Sequence, residues 1–205
     1  MDGDDELAER RRNRQNASAE FREEQRFSTL SQHVGSGRVV TIRTHVPLES
    51  VHGYLLALSP ELALLHAFND FEPDGYLVIS VGDIAELASG DREQFWERVV
   101  TGEGLLDGLA LDASIDLTSF ATALVSIAKR YSDLAILTVD DDLFVGRLLG
   151  QDDKELQLHS VDHLGAWDGL PSRIAFDQIA RIQFGTPYLR LFMKYAPAPP
   201  PLESK

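Results

Sequence analysis

Hydrophobic and polar positions along this chain alternate in short runs rich in β-branched and aromatic residues, bounded by turn-forming residues. The alternation predicts two groups of five strands: 38–43, 51–58, 62–68, 76–81 and 84–87, then 134–139, 143–150, 155–161, 173–176 and 179–184. Turn chemistry separates them at Ser59-Pro60, Pro73-Asp74-Gly75, Gln151-Asp152-Asp153 and Asp168-Gly169-Leu170-Pro171. Helical spacing is confined to three stretches. In 117–131, Phe120, Ala121, Leu124, Ile127, Ala128 and Tyr131 fall on one face, with Asp116 as the expected cap and Lys129 and Arg130 at the negative end. Phe27, Leu30 and Val34 give a weaker pattern within 21–34, and Phe95 and Val99 mark a third helix over 91–100.

The two groups of strands match each other in sequence. Gly53-Tyr54-Leu55-Leu56 corresponds to Gly146-Arg147-Leu148-Leu149, and each glycine is followed thirteen residues on by a histidine, His66 or His159. Ile79 to Leu87 then matches Ile174 to Ile182, with Gly90 and Gly185 three residues beyond, so one loop length change of two residues separates the copies. The expected fold is mainly β with flanking helices: two tandem five-stranded barrels, each preceded by a helix. Its divisions are a disordered charged tail (1–19), a first unit with a connector helix (20–111), a second unit (112–195) and a proline-rich tail (196–205). Cores this small rarely supply more than about 3–5 kcal/mol, so the two units are expected to pack together.

A helix followed by five strands, a G-x-L in the second strand, and a closing segment with apolar residues three apart around an isoleucine resembles the Sm-like family, a group of SH3-like small barrels. The resemblance spans 27–87 and 117–184. Asp112 to Leu117, Ala166-Trp167-Asp168 and Phe184-Gly185-Thr186-Pro187-Tyr188 are also similar to a bacterial protein family of unassigned function. The Sm-like resemblance implies RNA contacts from an Asp and an Asn after the second strand and from an Arg-Gly pair between the last two. Here the Asp position holds Ser59 or Asp152, the Asn position Ala63 or Leu156, and the Arg-Gly position Gly82-Asp83 or Asp177-Gln178. An acid facing a phosphate is unfavourable and an aliphatic side chain cannot read a base edge, so the implied RNA site is degenerate.

Charge reinforces this. The chain carries 33 acids and 19 bases. Eight of those acids and six of the bases fall in the first 37 residues, which leaves 25 acids against 13 bases and a net of −12 on the body. Such a body repels nucleic acid at long range. The N-terminal Arg10-Arg11-Arg12 and Arg14 are interleaved with Glu6, Glu9 and Glu20 and read as a solvated charged segment. The absence of cysteine removes thiolate chemistry, disulfides and cysteine-ligated metals. With no apolar leader in 1–14 and no bilayer-length apolar run, no membrane association and a cytoplasmic location are expected.

Candidate chemistry is sparse. His159 and His163 would share one side of an extended strand and could ligate a metal, but His66 has no such companion, which favours a structural role and an assignment of no metal. Asp140-Asp141-Asp142 reads as a hairpin turn, Gly102 to Gly108 as a loop without a dinucleotide fingerprint, and Gly35-Ser36-Gly37 as a linker. No catalytic or cofactor-binding residue stands out, so no cofactor is expected. Trp167 is either an exposed anchor or a cover for the barrel mouth, and Tyr188, Phe192 and Tyr195 raise the same question near the C-terminus. Trp167, Asp168, Tyr188, Phe192 and Tyr195 form the candidate interaction surface. The expected function is a non-enzymatic protein-interaction or scaffold module, with a protein partner or homo-oligomer; the alternative is an RNA-binding Sm-like protein whose site is degenerate or relocated.

Overall fold

The computed structural model describes residues 24–45, 48–105 and 115–201; the charged tail expected at 1–19 lies outside them. The protein is mainly β. Helix α1 (24–31) leads into β1 (Val39–Thr44), β2 (Ser50–Leu58), β3 (Leu62–Asn69), β4 (Glu72–Ser80) and β5 (Ile84–Ala88), followed by α2 (Asp91–Gly102). The second half repeats the order with α3 (Phe120–Ile127), β6 (Asp133–Thr138), β7 (Leu143–Gln151), β8 (Glu155–Ser160), β9 (Ser172–Ala175), β10 (Ile179–Phe184) and α4 (Pro187–Tyr195).

The ten strands are antiparallel and lie in one continuous sheet, ordered β5-β1-β2-β3-β4-β10-β6-β7-β8-β9. Each half therefore has its fifth strand beside its first, and the halves meet where β10 pairs with β4, Arg181 opposite Ile79 and Phe184 opposite Tyr76. The halves also agree in detail. A 3-10 turn precedes the last strand of each, Val81–Asp83 and Phe176–Gln178. A register shift interrupts β2 between Leu55 and Ala57 and β7 between Leu148 and Gly150. These bulges bend the long second strands.

Sequence alternation located the strands to within a residue or two except at β4, where Pro73-Asp74-Gly75 lies inside a nine-residue strand instead of forming a turn. Pro73 is tolerated because its partner on β3 is Phe68, next to a register shift where a ladder hydrogen bond is already missing. The reversal comes earlier, at Asp70, whose φ of 51° is left-handed. Helix α3 is shorter than expected and is capped by Ser119, which accepts from Thr122 N, while Asp116 accepts from Thr118 N in the loop before it. The sequence reading missed α4 altogether. Its signal was present: Thr186 accepts from Leu189 N at 3.0 Å and Pro187 takes the first helical position.

The core runs across the seam. Leu62, Leu64 and Val78 of the first half share one cluster with Leu124, Ile127, Leu134, Ile136, Ile182 and Phe184 of the second, beneath α3. A second cluster, with Leu30 of α1 over Ile42, Leu55, Leu65 and Ile79, belongs to the first half alone. At the seam Phe184 stacks on Tyr76 (5.3 Å between ring centres) and meets Tyr131 at 5.2 Å. The Arg181 guanidinium pairs with Glu49 across the halves.

The two matched glycines have a steric cause. A Cβ on Gly53 would lie 2.1 Å from the carbonyl oxygen of His66, and one on Gly146 2.2 Å from that of His159. Only a hydrogen fits where the strands press this closely, and backbone cannot rotate aside. Gly146→Ala should therefore destabilise the fold by about 2–3 kcal/mol or more, read as a lowered urea midpoint, whereas Gly150→Ala, where nothing lies within reach, should change it by less than about 1 kcal/mol.

Candidate functional site

Most of the aromatic residues singled out near the C-terminus converge on one face of the second half. Leu189 anchors α4, buried against Ala135 and Val145 with Phe192 beside it. Fixing Leu189 inward turns Tyr188, Leu191 and Tyr195 outward, because residues three and four apart share a helix face. Tyr188 and Phe192 stack at 5.4 Å, and Lys194 Nζ lies 5.6 Å from the Tyr195 ring.

Opposite this face stands the β8–β9 loop. Asp162 organises it: its Oδ1 accepts from Leu164 N and Ala166 N, both at 2.9 Å, and these bonds hold its carboxyl below the usual range. Gly165 supplies the left-handed φ of 84° that the turn requires. The loop presents Leu164 to solvent. Leu164, Gly165, Tyr188, Leu191, Phe192 and Tyr195 line a groove of about 410 Å³, in which apolar surface predominates. Leu164 is 81% exposed, Tyr195 79%, Tyr188 56% and Leu191 48%.

Trp167 is half-buried. Its ring packs on His159 at 4.6 Å, and its Nε1 donates to the carbonyl of Pro197 at 2.7 Å, tying the start of the proline-rich tail to the β8–β9 loop. Asp168 is exposed, and its backbone carbonyl accepts from His159 Nε2 at 3.0 Å. The pairing of His159 with His163 is not formed as the spacing suggested. Strand β8 stops at Ser160 and the chain turns at Asp162, so His159 is buried against Trp167 while His163 is exposed at the groove. Among the described residues no group of three or more His, Asp or Glu side chains is placed to hold a metal ion.

The positions that correspond to the Sm-like RNA contacts are occupied otherwise. Ala63 and Leu156 are fully buried in the core. Ser59 Oγ donates to Leu117 O at 2.7 Å and accepts from Leu62 N. Asp152 accepts from Lys154 N and Glu155 N, which folds the β7–β8 turn and lowers its pKa. Asp140 to Asp142 close the β6–β7 hairpin, with Asp141 at a φ of 68°.

The first half holds a polar chain that the sequence reading did not single out. Thr41 Oγ1 donates to Glu93 Oε1 at 2.6 Å and accepts from His52 Nδ1 at 2.9 Å, while Gly90 N donates to the other Glu93 oxygen. These contacts close the N-terminus of α2 and fasten it to β1. Residues 41, 52 and 93 carry no spacing pattern that signals the meeting. Phe71, at the β3–β4 turn, packs on Trp96 and Phe95 of the same helix at 4.7 and 6.4 Å.

No helix among the described residues is long and apolar enough to cross a membrane. The chain matches no family model, no curated protein and no solved structure.

His66 is the buried titratable group with the clearest consequence. Its ring sits edge-on to Phe68 and Tyr76, and desolvation pushes its pKa down to about 4. An unfolded chain takes up this proton near pH 6.5 and the folded chain does not, so stability falls as the pH drops from about 6.5 towards 4. His66→Phe should flatten that part of the pH–stability curve, measured by thermal melting at pH 7.5, 6 and 5; an equally steep loss in the variant would assign it to other groups.

Proposed function

We propose that the chain is a non-enzymatic protein-interaction or scaffold module, made of two copies of one Sm-like barrel unit joined edge to edge, and that a protein partner docks on the outward face of α4. The shared strand order, the matched bulges and 3-10 turns, and the paired close approaches at Gly53 and Gly146 support the duplicated unit. The observation that carries the functional reading is the groove between α4 and the β8–β9 loop, where Leu164, Tyr188, Leu191 and Tyr195 expose apolar surface on an otherwise acidic chain. Clustered exposed apolar side chains of this kind mark interaction sites, and tyrosine contributes disproportionately to binding energy.

The first half supports a choice of partner chemistry. There, Phe71 at the turn after the third strand packs on α2. In the second half the turn is a longer loop, its tip residue Leu164 faces solvent, and the groove beside α4 stays open. A partner supplying an aromatic side chain would make the contact that Phe71 makes within the chain. The outer sheet edges favour self-association less. Counting from the match of Ile79 with Ile174, Pro171 and Ser89 stand in the places of Tyr76 and Phe184, so a joint between copies would lack both stacked rings and one backbone donor.

The triple variant Tyr188→Ser, Leu191→Ser, Tyr195→Ser should keep the wild-type melting temperature within a few degrees and lose at least about tenfold of the affinity for any partner captured by cross-linking pull-down, or for itself by light scattering. A wild-type protein that is monomeric and captures nothing beyond what the triple variant also captures would sink the reading.

A further inference from the structure

The two halves serve as controls for each other, and at one place their chemistry inverts. In the first half, Val39 faces Tyr54 across β1 and β2, and both are buried with Phe68 and Val100 beneath Trp96 of α2. The same register in the second half puts Asp133 opposite Arg147 across β6 and β7. An apolar pair has become an ion pair, Arg147 Nε to Asp133 Oδ1 at 2.9 Å, and the space that the first half closes is open in the second.

The opening is a cleft of about 460 Å³ between the turn that follows α3, the start of β6, β7 and one side of α4 from its cap to its last turn. Arg130, Arg147, Arg190 and Lys194 all line it. Asp133 is the only acid among its described lining residues and already bonds Arg147. Thr186, the cap of α4, brings the positive end of that helix to the same cleft. The body of the chain has a net charge of −12, so four cations around one cavity run against its composition. Arg147 is bonded to Asp133 and Arg130 is not without a partner, so it is chiefly the repulsion between Arg190 and Lys194, one helical turn apart, that a bound anion relieves.

We propose that this cleft binds a compact oxyanion with two or more negative charges, carried by phosphate or carboxylate groups on a small molecule. Guanidinium forks match the oxygen geometry of both groups. The ligand is compact because the field is local. Screening at physiological salt confines the attraction to roughly 8 Å, and a long polyanion leaving the cleft would meet the acidic surface beyond. The cleft adjoins the apolar groove along α4: Arg190 lines only the cleft and Tyr188, Leu191 and Tyr195 only the groove, while Lys194 lines the cleft with its Nζ 5.6 Å from the Tyr195 ring.

Trp167 is a built-in reporter, with the guanidinium carbon of Arg147 5.8 Å from its ring centre. Trp96→Phe leaves it the sole tryptophan. Sodium pyrophosphate, sodium citrate and a 20-nucleotide single strand would be titrated separately at about 50 mM salt, where phosphate contacts are strongest. A saturable change in Trp167 emission with pyrophosphate, citrate or both is expected, and the responding anion identifies the group preferred. The double variant Arg190→Gln, Lys194→Gln, both exposed positions, should weaken that binding by about tenfold or more with an unchanged melting temperature. Calorimetric titration of the unsubstituted protein gives the same reading if Trp96→Phe disturbs the fold. No saturable binding of either small anion, binding unaltered in the double variant, or tighter binding of the oligonucleotide than of both would overturn the proposal.

Discussion

The pairing of β4 with β10 is the constraint on which the rest of the molecule depends. Without it the chain would be two short sheets, each with an exposed edge of unpaired amides and a core too small to be secure alone. With it, one antiparallel ladder runs through ten strands and the largest apolar cluster draws on both halves. The joint is specific as well as adhesive. Tyr76, Phe184 and Tyr131 meet there, and Gly75 approaches the Gly185–Thr186 backbone so closely that a Cβ would lie 2.7 Å from it. That approach sets where α4 begins, and through α4 it positions both the apolar groove and the basic cleft.

Symmetry within the chain is thus mechanical up to the sheet and broken above it. The strands, bulges and 3-10 turns correspond, yet the helices that follow the two sets of strands do different things. Helix α2 is fastened by the buried Glu93 and covered by Phe71, which closes the first half at this position. Helix α4 is fastened at the equivalent turn by Leu189 and its Thr186 cap, and the longer β8–β9 loop holds Leu164 away from it. Both the apolar groove and the basic cleft therefore lie on the second half.

The strands were legible in the sequence because alternation has a period of two and a one-residue slip would turn a buried face to water. The match between the two groups of strands was legible for a related reason: Gly53 and Gly146 sit where a backbone carbonyl of the next strand leaves no room for a side chain, so contact requires a glycine at each. Helix α4 was not found, because its proline reads as a breaker unless Thr186 is recognised as a cap. The extent of β4 was mistaken for the same reason, with Pro73 and Gly75 taken as a turn. The aromatic residues proposed as an interaction surface could be named from the sequence, but Leu164 and Leu191, which complete the groove, could not. Nothing local distinguishes an exposed leucine from a buried one.

By itself the sequence determined the β class, the two matched groups of strands and the acidic balance, since each follows from period, spacing or count. Only the tertiary structure decided that the halves share one sheet, because the partners Tyr76 and Phe184 lie over a hundred residues apart and each edge could have paired elsewhere. It alone gathered Arg130, Arg147, Arg190 and Lys194, drawn from three separate segments, around one cleft in a chain whose net charge conceals them. Net charge is a sum over the whole surface, whereas binding responds to the field within a Debye length, and only the fold fixes which charges share it.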